Sequence, residues 1–213
     1  HEKGNALSQV HMQKGDVAAG LAQADVIVEG TYHTPFVEHA YMEPEACLAE
    51  PDGAGGVVVC EGSQGPWADR RQIAASLALP LERVRVAHMP VGGGFGGKED
   101  ITLQILAVLG AVHTGRPVKM AMERAESLHV STKRHAEVLH YRTGATRDGR
   151  LTAMEVTILA DTGAYASLGS AVLFRSATFA CGPYVVPNVH VEATAVYTNN
   201  VPCGAMRGFG SPQ

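Results

Sequence analysis

Gly92-Gly93-Gly94-Phe95-Gly96-Gly97-Lys98-Glu99 sets five glycines around one phenylalanine and ends on a cation and an acid. Glycine accepts φ > 0 and lets a ligand approach the backbone closely, so the stretch has the makings of a binding loop. A β-like run, Arg83 to His88, leads in, and an apolar run, Ile101 to Val112, leads out. A helix over that second run would aim unpaired N–H groups and its positive dipole end at the loop. An anionic or polyoxo ligand suits such a place. Dinucleotide and phosphate-loop readings are set aside as poor matches to their spacings. The plainer alternative is a glycine turn around a buried Phe.

Other residue types with chemical use lie far apart in the chain. Gln64 follows Gly62-Ser63, and Ser63 is expected to cap the helix after it. Arg207 and Phe209 sit in a second glycine-flanked run, Arg207-Gly208-Phe209-Gly210, and Arg175 lies twelve residues before Pro187. The ten histidines are scattered, His33 and His39 being one of the nearer pairs, and read as hydrogen-bonded structural residues. Cys47, Cys60, Cys181 and Cys203 show no C-x-x-C spacing, so a protein-held iron–sulfur cluster or structural zinc is not expected. Reduced thiols in a cytoplasmic protein are the default.

These residues need elements to place them. Asp16 caps a short helix, Val17 to Ala24, and Val26 to Tyr32 is a strand. His33 to Pro44 reads as a structured loop. Ala46–Glu50 and Val57–Glu61 flank a glycine-rich hairpin turn. A helix spans Gln64 to Leu79, with Pro66 in its first turn. Thr114-Gly115-Arg116-Pro117 stops the helix after the loop, Val118 to Met122 is a strand, and Glu123 to Leu128 a helical turn. Ala136–Thr146 and Leu151–Asp161 are long strands joined by Arg147-Asp148-Gly149-Arg150. Ser167 to Cys181 is helical or irregular, and Val189 to Thr198 is a strand delivering the final loop. The class is α+β, with hairpin-rich mixed sheet packed with helices, in one folded unit over 1–213 that has at most two lobes. Charge balance is −4 and charged residues make up 18%, so no general attraction to nucleic acid or anionic membrane is expected. No run reaches membrane-span length.

The glycine loop resembles the signature loop of the xanthine dehydrogenase and aldehyde oxidoreductase family, the molybdenum hydroxylases. Asn199 to Gln213 is similar to that family's TN-x-x-P and A-x-RGFG-x-PQ segment, Gly62-Ser63-Gln64 to its Gln-bearing strand end, and His39 to Pro44 to its HxxxEP run. The order and distances also match. The resemblance implies a molybdenum–pyranopterin cofactor with no protein side chain on the metal, so residues act around it. Gln64 then matches the Gln that hydrogen-bonds an oxo group on molybdenum. Gly94, Phe95 and Gly96 line the cofactor, with loop peptide N–H groups facing the oxo ligand or the pterin. Phe95 and Phe209 contact the substrate ring, and Ala205 and Arg207 the pterin. Glu99 stands where purine-oxidising members carry Glu and many aldehyde-oxidising members an apolar residue. Arg175 matches their substrate Arg. Catalytic roles fall to Gln64, Glu99 and Arg175, and Gln64, Phe95, Glu99, Arg175, Arg207 and Phe209 are expected to line one concavity.

The resemblance further implies hydroxylation of an sp² C–H carbon with oxygen from water. Electrons leave through 2Fe–2S clusters, and often FAD, on other domains or subunits. The family's base Glu and later glycine-rich pterin segments have no match here, so the chain is expected to be part of a longer molybdenum-binding region and inactive alone. Rival readings are nicotinate or another N-heterocycle as substrate, an aldehyde, a non-catalytic split subunit, and a plain anion-binding module.

Overall fold

A computed structural model describes residues 4–213, in two compact units. One unit is continuous, Glu38–Thr132; the other takes both flanking segments, to Val37 and from Lys133. The α+β expectation holds, with five helices and nine strands among the described residues.

In the continuous unit the sheet order is β5-β4-β3-β6. β3 (Ala46–Pro51) and β4 (Val57–Glu61) form the expected hairpin. Its turn is held by Asp52, whose Oδ1 accepts from Ala54 N (2.8 Å) and Gly56 N (2.7 Å). From β4 the chain crosses through α2 (Pro66–Ser76) and a 3₁₀ turn (Leu81–Arg83) to β5 (Val84–His88), parallel to β4. α3 (Gln104–Thr114) ends on Gly115 at φ 65°, a left-handed cap. β6 (Val118–Ala121) then pairs with β3, and Glu123 and Glu126 form a capping box on α4 (Arg124–Val130). Ala49, Val59, Ile73, Val84, Ala107 and Val108 fill the core between sheet and helices.

In the other unit the order is β1-β9-β8-β7-β2. β1 (Ala6–Lys14), unassigned from sequence, forms one edge. Asp16 caps α1 (Val17–Ala22) by accepting from Ala19 N at 3.0 Å, and β2 (Val26–Thr34) is the other edge. β7 (Ala136–Ala145) and β8 (Leu151–Gly163) make the long hairpin, with Gly149 at φ 88° in its turn. α5 (Gly169–Phe179) carries the chain over to β9 (Asn188–Tyr197), parallel to β8. Alternate β8 residues Met154, Val156, Ile158 and Ala160 are buried with Leu173 and Ala177 of α5. No helix among the described residues is long and apolar enough to cross a membrane.

Candidate functional site

The glycine loop is gripped by side chains from two earlier segments. Glu43 holds both of its ends. Its Oε2 accepts from Gly92 N (2.7 Å) and from Lys98 Nζ (2.7 Å), and its own N–H donates to Gly92 O. Lys98 is 5% exposed and lies 4.9 Å over the Tyr41 ring, so a buried cation is both paired and stacked. Tyr41 donates in turn to Glu45. The lysine and the Gly92 amide hold the Glu43 carboxyl below the usual range. A Cβ at Gly97 would stand 2.7 Å from the Tyr41 ring and 2.8 Å from His39. Glu43 and Tyr41 are site residues that the sequence reading gave no role. The HxxxEP spacing was the signal available for them.

Gln64 pins the middle of the loop. Its Oε1 accepts from Gly96 N (2.8 Å) and Lys98 N (3.3 Å), and its backbone N donates to Lys98 O (2.8 Å). Backbone N–H groups can only donate, so the amide orientation follows: oxygen toward the loop, NH₂ away from it. Gln64 is exposed, and that NH₂ is a directed donor. A Cβ at Gly94 would sit 2.3 Å from Gln64 Oε1, and Gly96 has φ 103°. Phe95 itself sits at φ 54°, and Gly97 N closes the turn on Gly94 O at 2.8 Å. Positive φ at both central residues is the type I′ requirement. A phenylalanine there is strained by about 1–2 kcal/mol. Its side chain is 49% exposed, which removes the reading of Phe95 as core.

Several expectations change here. α3 begins only at Gln104, so no helix N-terminus follows the loop directly, and Glu99 is not a helix-terminal acid. The N-cap of α2 is Gly65, not Ser63. The Ser63 hydroxyl accepts from Gly65 N at 2.9 Å and donates to Asp69 instead. The N–H groups of Gly96, Gly97 and Lys98 are spent on Gln64 and Gly94, so the directed donor is the Gln64 amide rather than those peptides. On spacing, Gly92, Gly94 and Gly97 do satisfy G-x-G-x-x-G, and Gly92 to Lys98 fails G-x-x-x-x-G-K-[ST] only at Glu99. The late helix start and the spent amides, not the spacing, are what argue against a phosphate loop.

Glu99 is half-buried, and its Oε2 would be 3.7 Å from a Cβ on Gly65. Burial first, then Asp100 and Asp69, raises its pKa. Beneath it, Glu61 and Asp69 are a buried carboxyl pair. Both pKa values are raised, chiefly by burial.

The remaining candidates belong to the other unit. Gly208-Phe209-Gly210-Ser211 repeats the first turn: Phe209 has φ 51°, Gly210 φ 99°, and Ser211 N donates to Gly208 O at 3.1 Å. This turn lies against α5, where a Cβ at Gly210 would meet Val172 O at 2.4 Å. The exposed Arg175, on the same helix, places its guanidinium 5.4 Å from the Phe209 ring centroid. Ala205 is buried, while Arg207 is exposed and its carbonyl is held by Arg134 Nη2 at 2.6 Å. So Gln64, Gly94, Phe95, Gly96 and Glu99 are assembled in one unit, and Arg175, Ala205, Arg207 and Phe209 in the other.

One unit thus carries a clamped glycine loop with a directed amide donor, and the other a second Gly-Phe-Gly turn beside an arginine. Residues 1–213 match the molybdopterin cofactor-binding domain family. The chain belongs to that family, among the molybdenum hydroxylases. It is 47% identical over its whole length to the nicotinate dehydrogenase large molybdopterin subunit of Eubacterium barkeri, spanning 50% of that protein. It is 43% identical, again over its whole length, to a probable xanthine dehydrogenase subunit of Bacillus subtilis (strain 168), spanning 29% of it. The aldehyde oxidoreductase structure from Desulfovibrio gigas superposes with a TM-score of 0.94 at 31% identity, over 98% of this chain and 23% of that one. The chain thus spans half or less of the relatives it matches.

The residues present fit a molybdenum–pyranopterin group. Its oxo oxygens need donors, and Gln64 offers an NH₂ whose other end is already satisfied. The pterin edge needs a planar donor set, which the exposed Arg207 can supply.

Proposed function

We propose that this chain helps a molybdenum hydroxylase hold its cofactor and choose its substrate. The complete enzyme hydroxylates an sp² C–H carbon of a purine-like heterocycle, with water as oxygen source. The observation that carries this reading is the Gln64 amide, locked by Gly96 N–H and Lys98 N–H so that only its NH₂ is presented. When bound, the molybdenum–pyranopterin group would supply oxygen transfer to carbon and take up two electrons. Those electrons leave through 2Fe–2S clusters, and FAD where present, on other domains or subunits. Four free cysteines fit a reducing, cytoplasmic setting.

In this reading Gln64 donates to an oxo acceptor and keeps the group oriented. Gly94 and Gly96 would let the loop backbone approach the group, and Ala205 and Arg207 would lie on its pterin side. Phe95 and Phe209 offer ring faces to a planar substrate. Glu99, its pKa raised chiefly by burial, would hydrogen-bond ring heteroatoms of the substrate. Arg175 donates to a carbonyl oxygen and stabilises negative charge developing there. A second reading, nicotinate as substrate, is favoured by the 47% identity to a nicotinate dehydrogenase subunit.

The test uses the complete holoenzyme with hypoxanthine, nicotinate and a simple aldehyde. Glu99→Ala and Arg175→Ala each lower hypoxanthine turnover about ten- to a hundred-fold, the equivalent of one charge-assisted hydrogen bond, and affect the aldehyde far less. Equal loss on all three substrates would remove the purine reading. Loss confined to nicotinate would install the second reading.

A further inference from the structure

The fold brings together three side chains that the sequence keeps far apart. β1 pairs antiparallel with β9 so that His11 lies opposite Glu192, and His190 sits two residues before Glu192 on the same face. His11 Nδ1 is 3.8 Å, and His190 Nε2 3.4 Å, from the same oxygen, Glu192 Oε1. The two imidazoles stand edge to face at 4.9 Å, and one ligand atom from each of the three residues lies within 4.8 Å of the others. Val10, Met12 and Val191, on the opposite face, pack into the core with α5. The three residues therefore point away from the helix that carries Arg175. Beside the group, an open hollow of about 230 Å³ is lined by Gln9, His11, Glu192 and Thr194, but not by His190.

We propose that His11, His190 and Glu192 form a divalent transition-metal site of the zinc class, separate from the molybdenum chemistry. Ligands about 2.0–2.1 Å from a tetrahedral zinc stand about 3.3–3.4 Å apart; the two histidine–carboxylate distances, 3.4 and 3.8 Å, approach that spacing, and the two imidazoles have ligand atoms within 4.8 Å of each other. Two imidazoles and one carboxylate match zinc's preferences, and water completes the fourth position. Two ligands come from β9 and one from the edge strand β1, so the ion staples that edge to the sheet. The rival account is two histidine–carboxylate ion pairs with no affinity for metal.

The experiment titrates the complete holoenzyme with Zn²⁺ by calorimetry, beside His190→Gln and Glu192→Gln. All three proteins should turn over substrate equally without added zinc. The wild type should show a saturable site, weakened at least about tenfold in each variant, since even partners outside the ligand set contribute about that much. Zn²⁺ should also slow amide exchange along Ala6–Lys14 in the wild type alone. No saturable binding up to about 1 mM zinc, the weak end of the affinity scale, or binding and exchange that neither variant alters, overturns the proposal.

Discussion

The two Gly-Phe-Gly turns have the same backbone and are held in opposite ways. In each, a phenylalanine near φ 50° precedes a glycine near φ 100°. The first, at Phe95, is suspended from polar side chains: Gln64 on its amides, Glu43 and Lys98 across its ends. The second, at Phe209, is pressed onto α5, with Gly210 against the carbonyl of Val172. One conformation is thus reached by hydrogen bonds to a loop and by steric fit to a helix. The two should fail under different insults.

The largest contrast comes from removing the first clamp. Glu43→Ala leaves Lys98 buried without its carboxylate, at a cost of about 3 kcal/mol, read from denaturant unfolding. Amide protection at Gly96 and Lys98 should fall with it. A cost below about 1 kcal/mol would mean that Glu43 does not hold the loop.

pH separates the turns by sign. Glu137 is buried beneath α5, its carboxylate accepting from Ser176 Oγ at 2.7 Å, and burial raises its pKa from 4.5 to about 7. The folded state binds that proton more tightly than the unfolded chain. The stabilisation is therefore complete below pH 4.5 and lost as pH rises through about 7, about 3 kcal/mol in all. Glu43 has the opposite sign. Its pKa is depressed by Lys98 and the Gly92 amide, so its contribution is present above the ordinary 4.5 and lost as pH falls below it. Stability profiles of Glu137→Gln and Glu43→Gln should flatten in these two different windows. Identical profiles would erase the contrast.

A smaller effect is expected at Gly210→Ala, which adds a Cβ against Val172 O and forces φ 99° on alanine. It should cost about 2 kcal/mol, seen as a fall in Tm of roughly 6 °C. The smallest effect tests strain directly. Asn tolerates the left-handed region, so Phe95→Asn should leave stability unchanged or raise it by about 0.5 kcal/mol. Phe209→Asn should show no gain, because it gives up the ring beneath Arg175. A loss of more than about 1 kcal/mol at Phe95 would make that side chain structural.

What the sequence disclosed follows from how local each cause is. The Asp16 cap, Gly115 stop and Gly149 turn depend on neighbours within a few residues, and all three could be read directly. The start of α3 could not. Ile101 and Leu103 pack on the same core as the helix, so the apolar run crosses the boundary without a break. β1 escaped because it is a sheet edge with only a partly buried face, which weakens its alternation. Gln64 and the two phenylalanines were singled out through family motifs, and the structure places Gln64 on the first turn and a phenylalanine in each. The clamp on the loop was not, because Glu43 reaches Gly92 and Lys98 across 49 and 55 residues. The His11–Glu192 pairing is longer still and exists only once β9 has joined β1.

The interruption of one unit by the other bears on the order of assembly. β2 and β7 must pair although all of Glu38–Thr132 lies between them. That intervening segment is continuous, and its ends are tied together, with Ser131 Oγ 3.0 Å from both carboxylate oxygens of Glu38. Just outside it, Arg134 N donates to Val37 O at 3.0 Å. A segment that folds early and brings its own ends together turns a long loop closure into a short one. In synthesis its residues precede β7 to β9. If the inserted unit folds first, it would shorten the closure that pairing of β2 with β7 requires. Variants that slow its folding, such as Glu43→Ala, should delay formation of β2–β7 even though none of its residues belongs to that sheet.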